Sequence, residues 1–148
     1  MRNVTINRTL NAAPSSVWAV LADFANIADW NEGVTTSYST NEITEGVGAK
    51  RHCDLAPMGT LEETVQEWEP ETKMVISIDS ATRIPIKRGL ATFTLNQGGS
   101  HNETPFTLSY DFEPGGGVFS FVAGRLLERQ LTKGFNGFVD QLESAASR

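Results

Sequence analysis

The chain has 148 residues, a length that fits one domain, and its 39% hydrophobic and 20% charged residues are typical of a globular protein. The net charge of -6 works against nonspecific binding to phosphate backbones or anionic membranes, so a nucleic-acid-binding protein is not expected. The single cysteine, Cys53, excludes an intramolecular disulfide and a zinc site built on several thiolates.

The first thirty residues predict one strand and two short helices. Apolar and polar side chains alternate over residues 3–10, which is typical of a strand. The Pro-Ser-Ser sequence at 14–16 is typical of a helix start, and this helix is predicted to run to about Asp23. A second short helix is predicted over about 25–30, because Gly33 follows it as a terminating residue. No apolar leader segment precedes the first strand, so the sequence favours a cytoplasmic location.

The middle of the chain changes from helical to alternating patterning. Turn-forming residues divide it into six further predicted strands. These strands span about 35–40, 49–55, 60–68, 73–79, 89–95 and 105–112.

A long C-terminal helix is predicted from about Val118 to Ala146. Its apolar side chains recur at helical spacing, which indicates a single buried face. They are Leu127, Leu131, Phe135, Phe138 and Leu142. Gly124, Gly134 and Gly137 interrupt this helix, and the pattern leaves open whether they pack on the sheet, approach another group closely or permit a bend.

These elements predict a single α+β domain over residues 1–148. Seven short antiparallel strands and one long helix must bury the apolar face of both, and sheet twist curves the strands around the helix. Strand phase places Arg51 and Glu63 on the inner, apolar face. If the turn at 56–59 pairs Leu55 with Leu61, Cys53 faces Glu63 and Arg51 lies one diagonal step away. The pair then either orients a ligand or is purely structural.

Few residues suggest catalysis or metal binding. His52 lies in a strand, facing away from Cys53, and His101 lies in a polar loop, so the two histidines have no chelating spacing. Cys53 is expected to be an inert buried thiol. The sequence contains no phosphate-binding loop or dinucleotide fingerprint, and no cofactor or metal is expected.

Three segments resemble the START-like (SRPBCC) superfamily, and within it the polyketide cyclase/dehydrase and lipid-transport group. They are the helix start at 12–18, the Asp-Trp-Asn at 29–31, and the glycine-flanked hairpin of 46–51 with 59–63. The resemblance covers essentially the whole chain and implies the helix-grip fold, with a cavity between a seven-stranded sheet and the long helix. Members bind lipids, sterols, polyketides or similar molecules, and they share no common catalytic motif.

The leading functional hypothesis is a binder or carrier of a small hydrophobic ligand, such as a lipid or polyketide, in an internal cavity of roughly a few hundred Å³. Arg51 and Glu63 would meet a polar end of the ligand. The other predicted lining residues are Trp30, Met58, Met74, Ile76, Phe93, Phe106, Tyr110, Phe121 and Leu127.

Two alternatives stay open at this stage. One is a polyketide cyclase or dehydratase in which Glu63 or Tyr110 acts as acid or base. The other is a chaperone-activating or other protein-interaction module, which would expose an apolar patch. No apolar run reaches the length of a membrane span, so integral membrane association is not expected. The sequence leaves open whether the protein forms a weak homodimer.

Overall fold

The computed structural model describes residues 1–55, 57–96, 98–115 and 120–148, with side chains from Arg125 onward in the last range. A 3-10 helix (Phe24–Asp29) follows the first α-helix, where the sequence predicts a second short helix. The elements are β1 (Arg2–Leu10), α1 (Pro14–Ala22), β2 (Thr36–Ser39), β3 (Lys50–Asp54), β4 (Thr60–Glu69), β5 (Lys73–Thr82), β6 (Ile86–Leu95), β7 (Thr104–Pro114) and α2 (Ser120–Ala146).

The seven strands form one antiparallel sheet in the order β1-β7-β6-β5-β4-β3-β2. The long helix α2 packs against β1, β7 and α1. This arrangement confirms the predicted helix-grip fold. The start of the predicted long helix at 118–119 lies outside the described residues.

Ionic contacts hold α2 against the edge strand β1. Arg2 pairs with Glu128, and the Arg8 guanidinium lies 2.6 Å from the Asp140 carboxylate. Arg8 also lies 3.6 Å from the carboxylate of Glu143, one helical turn further along. The contacts recur along β1, so they fix the position of the helix along that strand. None of the helices among the described residues has the length and apolar content of a membrane span.

The register between β3 and β4 differs from the expected one by two residues. Arg51 stands opposite Glu63 and Cys53 opposite Leu61, so the predicted opposition of Cys53 and Glu63 is wrong. The turn is tighter than assumed, because the Leu55 amide donates to the Gly59 carbonyl at 2.7 Å. A shift of two residues keeps each side chain on its face, so the predicted inward phase of Arg51 and Glu63 holds.

Two irregularities bend β4 as it pairs with β5, one between Glu62 and Glu63 and one between Val65 and Glu67. A bulge of this kind increases local twist and re-aims side chains. The run Glu63, Thr64 and Val65 is buried, where a regular strand would expose alternate residues. The bend therefore lies at the position that delivers Glu63 to the interior.

The core lies on the concave side of the sheet. Strand β7 alternates cleanly, and its inward side chains Phe106, Leu108, Tyr110 and Phe112 are all at most 3% exposed. On α2, Leu127 and Leu142 are buried, whereas Phe135 and Phe138 are partly buried and pack against the same core. The helical stripe predicted from the sequence therefore faces the sheet.

Gly134 and Gly137 do not serve close packing. A Cβ atom added at either position would have no atom within 4 Å. Of the three possibilities that the sequence leaves open, packing on the sheet and close approach to another group are therefore contradicted at these two positions. Gly124 lies outside the part of α2 whose side chains are described.

Candidate functional site

The polar centre of the interior is an ion pair between neighbouring strands. The Arg51 Nε donates to Glu63 Oε1 at 2.9 Å, and the two residues are 6% and 9% exposed. Burial of an isolated charge is costly, so each residue requires the other. The two side chains pair as the sequence predicted, but the residues stand directly opposite each other on neighbouring strands and not diagonally.

Phe24 holds the guanidinium from the other side. Arg51 Nη1 donates to the Phe24 backbone carbonyl at 2.9 Å, and the guanidinium carbon lies 3.9 Å from the centre of the Phe24 ring. A planar cation over an aromatic face is a favourable contact, and more so when it is shielded from water. Arg51 is therefore fixed in position before any ligand is present.

Cys53 lies beside the same carboxylate. Its Sγ is 3.5 Å from Glu63 Oε1, and the residue is 1% exposed. Burial, with the Glu63 charge as the second cause, raises the pKa of the Cys53 thiol to about 12. The thiol therefore stays protonated and contributes a weak hydrogen-bond donor.

A small cavity lies between the sheet, the first helices and α2. Its volume is about 10 Å³, about enough for a single water molecule. This is far smaller than the few hundred Å³ that the sequence led us to expect. The wall consists of Val20, Leu21, Asp23, Ile27, Trp30, Arg51, Met74, Ile76, Phe93 and Phe138.

Aromatic rings fill most of the space beside this cavity. Phe138 of α2 stacks on Phe93 of β6 with ring centres 5.6 Å apart, and it meets Trp30 edge-on at 5.1 Å. The ring of Phe138 therefore separates the sheet from the end of the 3-10 helix. Phe138 stands on α2 and is only partly buried.

Trp30, one of the residues that line the cavity, has an unpaired donor. Its Nε1 is buried, and in the described part of the chain it is the only buried side-chain nitrogen or oxygen without a hydrogen-bond partner. Buried Trp N–H groups usually have an acceptor, and leaving one unpaired costs about 1–3 kcal/mol. The N–H of Trp30 is therefore a polar group that the described residues do not satisfy.

Tyr110, a predicted lining residue, lies in the core on the concave face of the sheet, over a glycine, and is not among the residues that line the small cavity. A Cβ at Gly89 would lie only 2.5 Å from the Tyr110 hydroxyl oxygen, so the absence of a side chain there admits the phenol. Burial, and then the charge of Glu63, raises the pKa of Tyr110 well above its usual range. Tyr110 is therefore a neutral phenol whose pKa is raised in part by the negative charge of Glu63.

The structure distributes the other predicted lining residues differently. Met74, Ile76 and Phe93 line the cavity together with Trp30 and Arg51. Phe106 and Leu127 are buried in the surrounding core. Met58 is 57% exposed in the β3–β4 turn and does not line this cavity, because it precedes β4 in a segment that turns outward. The side chain of Phe121 lies outside the described residues.

Sequence reasoning missed the wall contributed by the first helices. Val20, Leu21 and Ile27 line the cavity, and Phe24 holds Arg51. Leu21 and Phe24 are three residues apart, a spacing typical of one helical face, but sequence spacing does not show that this face meets β3. Phe138 was assigned only to the packing stripe of the helix, and it turns out to be part of the cavity wall.

The outer face of the same hairpin carries a separate polar group. His52 lies between the carboxylates of Glu62 and Asp54, and its ring stacks on Tyr38 with centres 4.9 Å apart. The hydrogen bonds to Glu62 and then to Asp54 raise the pKa of His52. Among the described residues, no group of three or more His, Cys, Asp or Glu side chains is arranged to hold a metal ion.

The sequence matches the family described as polyketide cyclase/dehydrase and lipid transport over residues 1–147. The chain belongs to this family. No curated protein matches the sequence. Family membership and the architecture agree with the resemblance found in the sequence, and they leave the ligand or reaction of this member open.

Solved structures share the fold at low identity. An aromatase/cyclase from Streptomyces sp. R1128 has a TM-score of 0.80 and 19% identity, over 99% of this chain and 94% of that one. A START superfamily protein from Mycobacterium smegmatis has a TM-score of 0.81 and 12% identity, over 98% and 97%. A protein from Thermus thermophilus has a TM-score of 0.80 and 16% identity, over 98% and 97%. At these identities the likeness concerns the fold.

Proposed function

We propose that this protein binds a small, largely apolar ligand between the concave face of the sheet and α2. The observation that carries the proposal is the grouping of Arg51, Glu63 and the Trp30 N–H in an otherwise apolar interior. Apolar walls with a few fixed polar groups are typical of small-molecule sites. Apolar residues in place of a buried ion pair often leave a core equally stable or more stable, so stability alone does not account for the pair.

The ligand enters by displacing aromatic side chains. The cavity of about 10 Å³ admits no organic molecule as it stands. Phe138 occupies the adjoining space and packs between Phe93 and Trp30. Its rotation, or a small shift of α2, enlarges the cavity next to Arg51. A Cβ at Gly134 or Gly137 would meet no atom within 4 Å, so no other element packs closely on these two positions of α2.

The raised pKa of Tyr110 and the contacts of Glu63 favour ligand binding as the function over acid–base catalysis. A phenol with a raised pKa is a weak proton donor and cannot act as a base near neutral pH. The Glu63 carboxylate is held by Arg51 and Cys53. These contacts suit fixed recognition of a polar group.

A cyclase or dehydratase is the second candidate, favoured by the electrostatic coupling of Glu63 and Tyr110. Under conditions where circular dichroism shows that Glu63→Gln is folded, this replacement would abolish turnover of an aromatic polyketide if the carboxylate acts as the base, and it would leave turnover unchanged if it does not. The large exposed apolar side chains among the described residues include Tyr38, Ile43 and Val47 on β2 and the loop after it. Met58, Leu90 and Leu126 lie on other elements. The polar groups of the interior favour a ligand site there over the interaction-module alternative.

Extraction of the purified protein tests the proposal. We expect mass spectrometry of the organic extract to find an apolar compound in near-stoichiometric amount. Val20 lines the cavity, so Val20→Trp fills it and should abolish the copurified compound. Leu90→Trp, at a 36% exposed position, is the matched control and should retain it. Equal amounts in both variants would contradict an interior site.

A further inference from the structure

The unpaired N–H of Trp30 defines the chemistry of the guest. We propose that Trp30 is a specificity-determining residue whose Nε1 donates a hydrogen bond to a neutral carbonyl-type oxygen of an otherwise apolar ligand. This inference rests on the proposed function and specifies the ligand class that the same site selects.

The polar groups on the cavity wall are mainly donors. Trp30 Nε1–H can only donate, and so can the Arg51 guanidinium. The Arg51 side chain has its Nε and Nη1 engaged by Glu63 and by the Phe24 carbonyl. Asp23, the acidic residue on the wall, is exposed, and its carboxylate accepts from Asn26 at 2.8 Å. The buried, unused group is therefore the indole donor, which calls for an acceptor on the ligand.

The charge balance selects a neutral acceptor. Arg51 and Glu63 form a buried pair at 2.9 Å, so the positive charge beside the cavity is already compensated. An ionised carboxylate on the ligand would be desolvated without a free counter-charge, which is costly. A ketone, aldehyde or ester oxygen accepts the same hydrogen bond without that cost. Such a group at the polar end of a hydrocarbon or aromatic skeleton fits both the donor and the apolar walls.

The experiment compares two probes of similar size that differ in one carbonyl group. One is the aromatic ketone prodan, and the other is its deoxo analogue, in which a methylene replaces the carbonyl. Binding of each is measured by equilibrium dialysis to the wild-type protein and to Trp30→Phe, which keeps an aromatic ring and removes the N–H. One neutral hydrogen bond corresponds to about a 2–10-fold difference in affinity.

We expect the wild-type protein to bind the ketone about 2–10-fold more tightly than the deoxo probe. Trp30→Phe should remove this difference, because it weakens ketone binding more than it weakens binding of the deoxo probe. Equal affinities of the wild-type protein for the two probes would overturn the inference and leave the proposed function standing. Failure of both probes to bind would overturn both.

The indole resonances give a readout that does not depend on the variant. The chain has three Trp residues, and Trp18 and Trp68 contact each other edge-on at 5.3 Å. We expect the ketone to shift the Nε1–H signal of Trp30 downfield, and the deoxo probe to leave the signal near its free position. A Trp30 signal that responds equally to both probes, as it would with a permanently bound water as its acceptor, would overturn the inference.

Discussion

Arg51 on β3 stands directly opposite Glu63 on β4, and their buried side chains meet at 2.9 Å on the concave face of the sheet. The pair is held further by the Phe24 carbonyl and ring. It is the polar centre around which the apolar wall is built, so its energetics can be tested independently of any ligand.

Glu63→Gln should destabilise the protein strongly. The change leaves the Arg51 charge buried without a counter-charge, a loss of about 3–5 kcal/mol in the free energy of unfolding. The double variant Arg51→Met with Glu63→Leu removes both charges and should be markedly more stable than Glu63→Gln. Urea denaturation of the wild-type protein and of the two variants measures the free energy of unfolding of each.

The matched control is Glu67→Gln. Glu67 pairs with Lys73 at 3.3 Å, and its side chain is 51% exposed. Loss of this surface pair should change the free energy of unfolding by no more than about 1 kcal/mol. Similar effects of Glu63→Gln and Glu67→Gln would show that the Arg51–Glu63 pair is solvated.

Cys53 should be unreactive in the folded protein. Burial and the nearby Glu63 charge raise the pKa of the thiol to about 12, so almost no thiolate forms near neutral pH. We expect a chromogenic disulfide reagent to label Cys53 only as fast as the protein unfolds, and to label it rapidly in urea. Labelling of the native protein at the rate of a free cysteine would mean that the hairpin opens readily.

His52 should make stability depend on pH. Its carboxylate partners Glu62 and Asp54 raise its folded-state pKa above the 6.5 of an unperturbed His. The folded state therefore binds the proton more tightly, and the stabilisation is complete below pH 6.5 and is lost as the pH rises through the raised value. The free energy of unfolding should fall more over this range in the wild-type protein than in His52→Gln, as measured by urea titrations. Identical pH profiles for the two proteins would refute a structural role of the charged ring.

Gly89→Ala and Gly134→Ala should have opposite effects. At Gly89 the new Cβ would meet the Tyr110 hydroxyl oxygen at 2.5 Å, so the wall must shift and the protein loses stability. At Gly134, an exposed helical position, the new Cβ meets nothing within 4 Å, so Ala stabilises the helix by up to about 1 kcal/mol. The midpoint of thermal unfolding, measured for each variant and for the wild-type protein, shows both effects. Tyr110→Phe should partly rescue Gly89→Ala, and no rescue would mean that the hydroxyl is not the obstacle.

The sequence predicted the fold because each element has a clear local pattern. The alternation of β7 and the apolar stripe of α2 identify their buried faces without tertiary information. The inward phase of Arg51 and Glu63 followed from the same periodicity. Their direct opposition could not be predicted, because it depends on how tightly the chain turns between Leu55 and Gly59.

The cavity was less predictable than the fold. Its volume depends on how rings from distant elements interlock, as Phe93 and Phe138 do, and sequence spacing does not encode that packing. The importance of Trp30 arises from a missing partner, which only a structure can show. Sequence patterns thus located most of the wall and overestimated the space inside it.

Chemical-shift mapping of prodan on the isotopically labelled protein tests the central claim most directly. A ligand bound between the sheet and α2 should perturb the resonances of Trp30, Arg51 and Phe138 most strongly, and saturably. It should leave the outer-face residues His52 and Tyr38 near their free positions. Perturbations confined to the outer face of the sheet, or none at saturating probe, would contradict an interior binding site.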